Sequence, residues 1–170
     1  MLVVNVATTS GDLVNLKENL LAGYSLENVS DKMAKLDLQG PQSSEVLKNI
    51  FGDKIAGLNY YTFSEFIFQQ QPCLISRTGY TGELGFELYI ANDYVVRLWE
   101  LLLKDARVKP AGLGCRDTLR LEMSYPLYGQ DLDINHTPLA AGLLKFVDFS
   151  KDFIGRDALV REQKNGPKEH

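Results

Sequence analysis

The sequence is poor in the residues that build metal and redox sites. Among 170 residues it has two cysteines, Cys73 and Cys115, and two histidines, His136 and His170. The cysteines form no CxxC pair and the histidines have no metal-ligand spacing, so neither a zinc site nor a redox motif is predicted. Two isolated cysteines are typical of a reducing compartment. We therefore predict a protein without a resident metal.

The chain also lacks long apolar runs and an excess of positive charge. No segment approaches the roughly 20 apolar residues that a membrane-spanning helix needs, and no basic-then-apolar signal segment opens the sequence. The 18 basic and 22 acidic side chains give a formal net charge of -4, which argues against non-specific binding to nucleic acid. We expect no membrane partner and no nucleic-acid partner.

Hydrophobic periodicity predicts an alternation of short strands and helices. Strands are predicted at residues 2–6, 34–38, 60–68, 73–77, 86–90 and 143–149. Helices are predicted at residues 13–21, 46–51, 95–102, 112–123 and 156–163. The predicted order is a strand, a helix, two or three antiparallel strands and another helix. This order indicates an α+β fold, with a ferredoxin-like antiparallel sheet and helices packed on one of its faces.

Glu87 stands inside a predicted strand with apolar neighbours. A carboxylate there must be satisfied, and the adjacent N–H donors on the edge of a pterin or guanine would suit its two oxygens. Plain alternation is the competing interpretation, in which Glu87 and Tyr89 face solvent while the even-numbered residues beside them form the core. Spacing alone favours this second interpretation.

Two arginines and two tyrosines are further candidates. Arg116 and Arg120 lie one helical turn apart, so they share a face on which an anionic partner would offset their repulsion. Pairing with a nearby acid, such as Asp117, is the simpler explanation. Tyr80 and Tyr125 would offer ring faces to a flat heterocycle, although single tyrosines more often pack half-buried. Spacing alone therefore names no ligand.

Several segments resemble signatures of a known family. Residues 77–88, RTGYTGELGFEL, resemble the RTGYTGExGFE signature of the glycine cleavage T-proteins, the aminomethyltransferases. Residues 112–122, GLGCRDTLRLE, and 126–133, PLYGQDLD, resemble the GLGARDTLRLE helix and the PLYGHDLD loop of that family. Weaker motifs at residues 3–5, 38–41 and 152–156 also match in the family's order, so the resemblance covers nearly the whole chain.

The resemblance implies an aminomethyltransferase of the glycine cleavage system, in the cytoplasm or, in a eukaryote, in the mitochondrial matrix. Such an enzyme moves the one-carbon unit from the aminomethyl-lipoyl arm of the H-protein to its co-substrate tetrahydrofolate. Ammonia is released and methylene-tetrahydrofolate forms. The enzyme must hold the folate ring beside the lipoyl sulfur and stabilise an iminium-like species. The alternative is a non-enzymatic or demethylase-type folate-binding module of the same fold.

The resemblance also implies site residues. Glu87 matches the carboxylate that grips the pterin, and Arg116 matches a folate-contacting arginine. Tyr80 and Tyr125 match ring-lining tyrosines, and Asn5 matches a cleft asparagine. We therefore expect these five residues to bind tetrahydrofolate.

The resemblance further implies that the chain is a central fragment. The family's key acidic residue is expected upstream of Met1, so no catalytic residue is predicted within the chain and the chain alone is expected to be inactive. We expect residues 1–30 to end an incomplete N-terminal folate-binding domain. Residues 31–140 are expected to form the ferredoxin-like α+β domain with the GYTGE loop and the RDTLRLE helix. Residues 141–170 are expected to begin an incomplete C-terminal region.

Overall fold

A four-stranded antiparallel sheet is the centre of the unit Thr8–Tyr125 in this computed structural model, which describes residues 1–167. The strands, in the spatial order β1-β4-β3-β2, are β1 (Met33–Gln39), β2 (Phe63–Phe68), β3 (Gln71–Ser76) and β4 (Gly85–Ala91). The helices of this unit are α1 (Thr9–Glu18), α2 (Ser43–Phe51), α3 (Asn92–Leu103) and α4 (Leu113–Glu122). The predicted α+β class with an antiparallel sheet is confirmed.

Strand β4 gives the sheet an apolar face and a polar face. Its residues Phe86, Leu88 and Ile90 are buried, because alternate side chains of a strand point to the same side. Helices α2 and α3 cover this apolar side, as predicted. They add four side chains to the core: Val46, Leu47, Leu98 and Leu102.

The polar face is built from the intervening residues of β1 and β4. In the antiparallel register, Lys35 lies opposite Tyr89 and Asp37 lies opposite Glu87. Side chains that face each other across two strands lie within about 4.5–5.5 Å at their Cβ atoms, so they interact directly. Ser76 of β3 is the neighbour of Glu87 on the other side. The sheet therefore gathers polar groups from three strands around Glu87.

The second unit joins Met1–Ala7 to Pro126–His170 and contains α5 (Arg156–Asn165). His170, with the rest of residues 168–170, lies outside the described residues. The predicted domain boundaries at residues 30 and 140 concern a longer family member and stay a prediction. Among residues 1–167, no helix is long and apolar enough to cross a membrane.

Two predicted strands are wrong. Residues 1–5 have no regular structure, and Val6–Thr8 form a 3-10 turn. In the predicted strand 143–149, residues Leu144–Phe146 form another 3-10 turn. A strand needs a neighbour for its backbone hydrogen bonds. In the described residues of this second unit, extended backbone pairs only at the isolated bridge between Tyr128 and Leu132.

Two isoleucines on adjacent strands test the assignment of the apolar face. Ile75 of β3 is fully buried, whereas Ile67 of β2 is 65% exposed. We expect Ile75→Ala to lower the free energy of unfolding by about 2–5 kcal/mol through cavity formation. The matched control Ile67→Ala should cost less than about 1 kcal/mol. Urea unfolding measures both, and equal losses would contradict the assigned faces.

Candidate functional site

Four charged side chains of alternating sign meet at the polar face of the sheet, three from its strands and one from α4. The Lys35 ammonium lies 2.7 Å from Glu87 Oε1 and 3.3 Å from Asp37 Oδ1. On the other side of Asp37, Arg116 Nη1 of α4 lies 2.6 Å from Oδ2. Opposite charges are therefore in contact at every step, and Glu87 and Arg116 are connected through Lys35 and Asp37. We call these four residues the charge chain.

The Glu87 carboxylate receives three hydrogen bonds. Lys35 Nζ donates to Oε1 at 2.7 Å, while Thr78 Oγ1 and the Tyr89 hydroxyl donate to Oε2 at 2.5 and 3.0 Å. Burial opposes ionisation, since the side chain is only 17% exposed, but the hydrogen bonds and the Lys35 charge outweigh it, so the pKa of Glu87 is lowered. Glu87 is thus a charged acceptor at neutral pH.

The Glu87 carboxylate has acceptor capacity left for a ligand. A carboxylate accepts about four hydrogen bonds, and three positions are used, which leaves one on Oε1. The Thr78 hydroxyl also lies 2.7 Å from Ser76 Oγ. Since Thr78 has one hydroxyl proton and donates it to Oε2, Ser76 is the donor in this second contact, and both positions of Oε2 stay occupied. One donor of a ligand can therefore be accepted at Oε1 while the Lys35 contact is kept.

The tyrosines Tyr80 and Tyr125 lie at the Arg116 end of the charge chain. Their rings stack on each other, with centroids 5.5 Å apart and planes 27° apart. The Arg116 guanidinium carbon lies 5.7 Å from the centroid of the Tyr80 ring, within the range of a cation–π contact. A third ring does not fit between the two tyrosines, since it would need about twice the stacking distance. A flat ligand would therefore meet an outer face of this pair.

Arg120 holds the end of α4 in place. Its side chain is 3% exposed, and its Nε donates to Asp117 Oδ1 at 2.7 Å. The Tyr125 carbonyl accepts hydrogen bonds from Arg120 Nη1 and from the Tyr80 hydroxyl, both at 3.2 Å. The two arginines of α4 thus have different surroundings, because Arg116 is 40% exposed. Arg120 supports the tyrosine pair, and Arg116 remains accessible to a ligand.

The glycine-rich loop before β4 is fastened to the end of β1. Any Cβ added at Gly79 or Gly85 would collide with the Gln39 side chain. Glycine at these positions lets Gln39 Nε2 reach the carbonyl oxygen of Thr78, to which it donates at 3.2 Å. This contact positions the loop that supplies Thr78 and Tyr80 to the polar face.

A cavity of about 230 Å³ beside the glycine-rich loop is a separate feature of this unit. It is lined by Tyr60, Arg77 and the loop residues 82–85, and neither Glu87 nor Arg116 contributes to it. Arg77 Nη1 donates to the Leu58 carbonyl at 2.9 Å, which ties Arg77 to the surrounding backbone.

In the part of the chain that the structure describes, no group of His, Cys, Asp and Glu could hold a metal ion.

Four of the five predicted site residues lie in the unit Thr8–Tyr125. The charge chain connects Glu87 with Arg116, and the stacked pair Tyr80 and Tyr125 adjoins Arg116. Asn5 belongs to the other unit, where its side-chain oxygen accepts the N–H of Ala7 at 3.2 Å. The ligand-binding roles of all five stay predictions.

Sequence reasoning missed Lys35 and Asp37. Both occupy the polar positions of the alternating segment 33–39, and that alternation was the available signal. What the sequence did not show was the pairing of β1 with β4, which brings them to Glu87.

Comparison with known proteins identifies a family. Residues 1–151 match the family described as the GCVT N-terminal domain. The aminomethyltransferase of Caldanaerobacter subterraneus is 45% identical over 174 residues, covering 99% of this chain and 46% of its own. That of Pseudothermotoga lettingae is 44% identical over 172 residues, covering 98% of this chain and 47% of its own. The chain spans about half the length of the curated relatives it matches.

A solved structure agrees with these sequence matches. The crystal structure of the glycine cleavage system aminomethyltransferase T from Bartonella henselae superimposes with a TM-score of 0.77 at 33% identity. The match covers 96% of this chain and 45% of that protein. The described fold is therefore found in a solved aminomethyltransferase.

The lowered pKa of Glu87 predicts a specific acid sensitivity. A carboxyl whose pKa is lower in the folded than in the unfolded state stabilises the fold above its unfolded pKa, about 4.3 for Glu. This stabilisation is lost as the pH falls through the folded-state pKa. At neutral pH, Glu87→Gln should lower the free energy of unfolding by about 1–3 kcal/mol, because charge-assisted hydrogen bonds are lost. At about pH 3 the difference from the unmodified chain should shrink.

Urea unfolding of both proteins at the two pH values measures this effect. Glu100→Gln, an exposed position on α3, is the matched control and should follow the unmodified chain at both. A difference between Glu87→Gln and the unmodified chain that is the same at both pH values would contradict the assignment of Glu87 as a charged acceptor.

Proposed function

The chain belongs to the family of the GCVT N-terminal domain, and on that premise we propose that it forms the folate-binding part of an aminomethyltransferase. The proposed enzyme works in the glycine cleavage system. It takes the one-carbon unit from the aminomethyl-lipoyl arm of the H-protein and gives it to tetrahydrofolate. Neither of the chain's cysteines forms a disulfide, which suits the cytoplasm that we propose as its compartment.

The proposed reaction is a group transfer without net oxidation. The carbon–sulfur bond of the aminomethyl thioether and the carbon–nitrogen bond of its amino group break. Two carbon–nitrogen bonds form to tetrahydrofolate, and its two displaced protons end on the lipoyl sulfur and on ammonia. Such a transfer requires the folate ring to be held in one orientation beside the sulfur, because misplacement of the reacting atoms slows a two-substrate reaction strongly.

The observation that supports this function best is the charged Glu87 carboxylate on the polar face. Its remaining acceptor position on Oε1 suits an N–H donor on the edge of a pterin, and charge-assisted hydrogen bonds are about twice as strong as neutral ones. The Lys35 contact at 2.7 Å, together with the hydroxyls around Oε2, keeps this carboxylate in place before a ligand arrives. A preorganised acceptor of this kind binds without having to be reordered.

Arg116 and the tyrosine pair complete the proposed folate site. The guanidinium is 40% exposed and retains donors besides the one used by Asp37. We assign it to an anionic part of the folate, since guanidinium groups bind carboxylates in a fixed geometry. The outer face of the stack formed by Tyr80 and Tyr125 is proposed as a surface for a flat ring.

A binding experiment tests the role of Glu87. Calorimetric titration with tetrahydrofolate, kept anaerobic, should show binding to the 170-residue chain. We expect Glu87→Gln to weaken binding by about 10- to 100-fold, because the buried site then presents an amide donor where the ring needs an acceptor. Glu100→Gln, on the helix-covered side of the molecule, should bind within about twofold of the unmodified chain.

Equal affinity in the two variants would remove Glu87 from the folate site. A second experiment distinguishes an aminomethyltransferase from a folate-binding module: one-carbon transfer is assayed in the full-length protein. Release of ammonia from aminomethyl-lipoyl H-protein supports the aminomethyltransferase. Folate binding without any transfer would support a non-enzymatic or demethylase-type folate-binding module instead.

A further inference from the structure

Lys35 holds a central position on the polar face. Its ammonium contacts two carboxylates, Glu87 at 2.7 Å and Asp37 at 3.3 Å. These two acids lie directly opposite each other in the register of β1 and β4. Like charges opposite each other on neighbouring strands destabilise a sheet. The arrangement therefore depends on a cation between them, and Lys35 supplies it.

The side chains around Glu87 differ in charge and in whether they contact its carboxylate. From β1 it faces Lys35 and Asp37, and from its own strand Tyr89. The segment after β3 supplies the neutral Thr78 hydroxyl. Helix α4 supplies Arg116, whose charge is paired with Asp37 at 2.6 Å rather than with Glu87. Lys35 is therefore the cation in direct contact with the Glu87 carboxylate.

We propose that Lys35 is a positioning residue for the ligand, which keeps the Glu87 carboxylate charged and directed so that it can accept a hydrogen bond from the bound ring. This inference rests on the proposed folate site and deepens it. Lys35 acts through Glu87 and needs no contact with the ligand. Because its Nζ occupies one acceptor position of Oε1, it also restricts where the ligand's donors can lie.

The consequence is a pH dependence of binding that Lys35 controls. A cation in contact favours the ionised form of a carboxyl group, and burial favours the neutral form. If Lys35 is made neutral, burial and the neighbouring Asp37 both favour protonation of Glu87. A protonated carboxyl offers a donor where the ligand also has a donor, so mild acid should weaken binding in that variant far more than in the unmodified chain.

Three substitutions test this inference. Lys35→Met removes the charge and keeps most of the apolar stem, whereas Lys35→Arg keeps the charge. Lys32→Met is the matched control, because Lys32 pairs with Glu27 on the surface just before β1. For each chain, the dissociation constant of anaerobic tetrahydrofolate is measured by calorimetry at about pH 7.5 and about pH 5. Both values lie above the lowered pKa of Glu87 in the unmodified chain, whereas about pH 5 comes within reach of a carboxyl group whose pKa burial has raised.

The measured quantity is the ratio of the dissociation constant at the lower pH to that at the higher pH. Relative to the unmodified chain, this ratio should rise by roughly 3- to 10-fold in Lys35→Met. It should stay within about twofold in Lys35→Arg and Lys32→Met. Titration of the ligand itself affects all four proteins equally and cancels in the comparison. An unchanged ratio in Lys35→Met, including one with equal weakening at both pH values, would overturn the proposal.

A second readout needs no ligand. The carboxyl carbon of Glu87, followed by NMR across an acid titration, reports its protonation directly. The midpoint should lie at higher pH in Lys35→Met, and in Lys35→Gln as a second neutral variant, than in the unmodified chain or Lys35→Arg. Identical midpoints would refute the role of Lys35. If the midpoints shift as expected but no chain binds tetrahydrofolate, the folate function fails while the control of Glu87 by Lys35 stands.

Discussion

The polar face depends on one requirement: a carboxylate in the middle of a sheet must have donors. Glu87 is only 17% exposed, so water alone does not satisfy it. Lys35, Thr78 and Tyr89 supply hydrogen bonds. Lys35 also contacts Asp37, and Asp37 contacts Arg116. The cation that neutralises Glu87 is therefore linked, through Asp37, to the Arg116 guanidinium on α4. The candidate site is thus a consequence of how the sheet neutralises its own charge.

Strand β4 contributes residues both to the hydrophobic core and to the candidate site. Its even-numbered residues from Phe86 to Ile90 form the core under α2 and α3, and the intervening Glu87 and Tyr89 face the other side. The rigid packing of the first set fixes the position of the second, since core side chains sit in close contact and tolerate little displacement. A site built on a central strand is therefore held more precisely than one built on a loop alone.

The strands, the helices and the position of Glu87 could be predicted from local sequence patterns. The contacts around Glu87 could not, because they depend on pairing between strands that are distant in the sequence. Alternation identified β4 and the unusual place of Glu87, and helical spacing identified α3, because both signals lie within a few residues. Lys35 is missed by such reasoning, since it reaches Glu87 only when β1 pairs with a strand about 50 residues further along the chain. The β-branched segment 2–6 forms no strand for the related reason that composition does not supply a neighbour.

A crystal structure of the chain with tetrahydrofolate bound would show directly whether the Glu87 carboxylate holds the folate ring. We expect the folate ring on the polar face, with an N–H donor within hydrogen-bond distance of the Glu87 carboxylate and the Lys35 contact still present. Arg116 should face an anionic part of the same molecule. A ring bound elsewhere, with Glu87 still surrounded only by Lys35, Thr78 and Tyr89, would contradict the proposed role of Glu87.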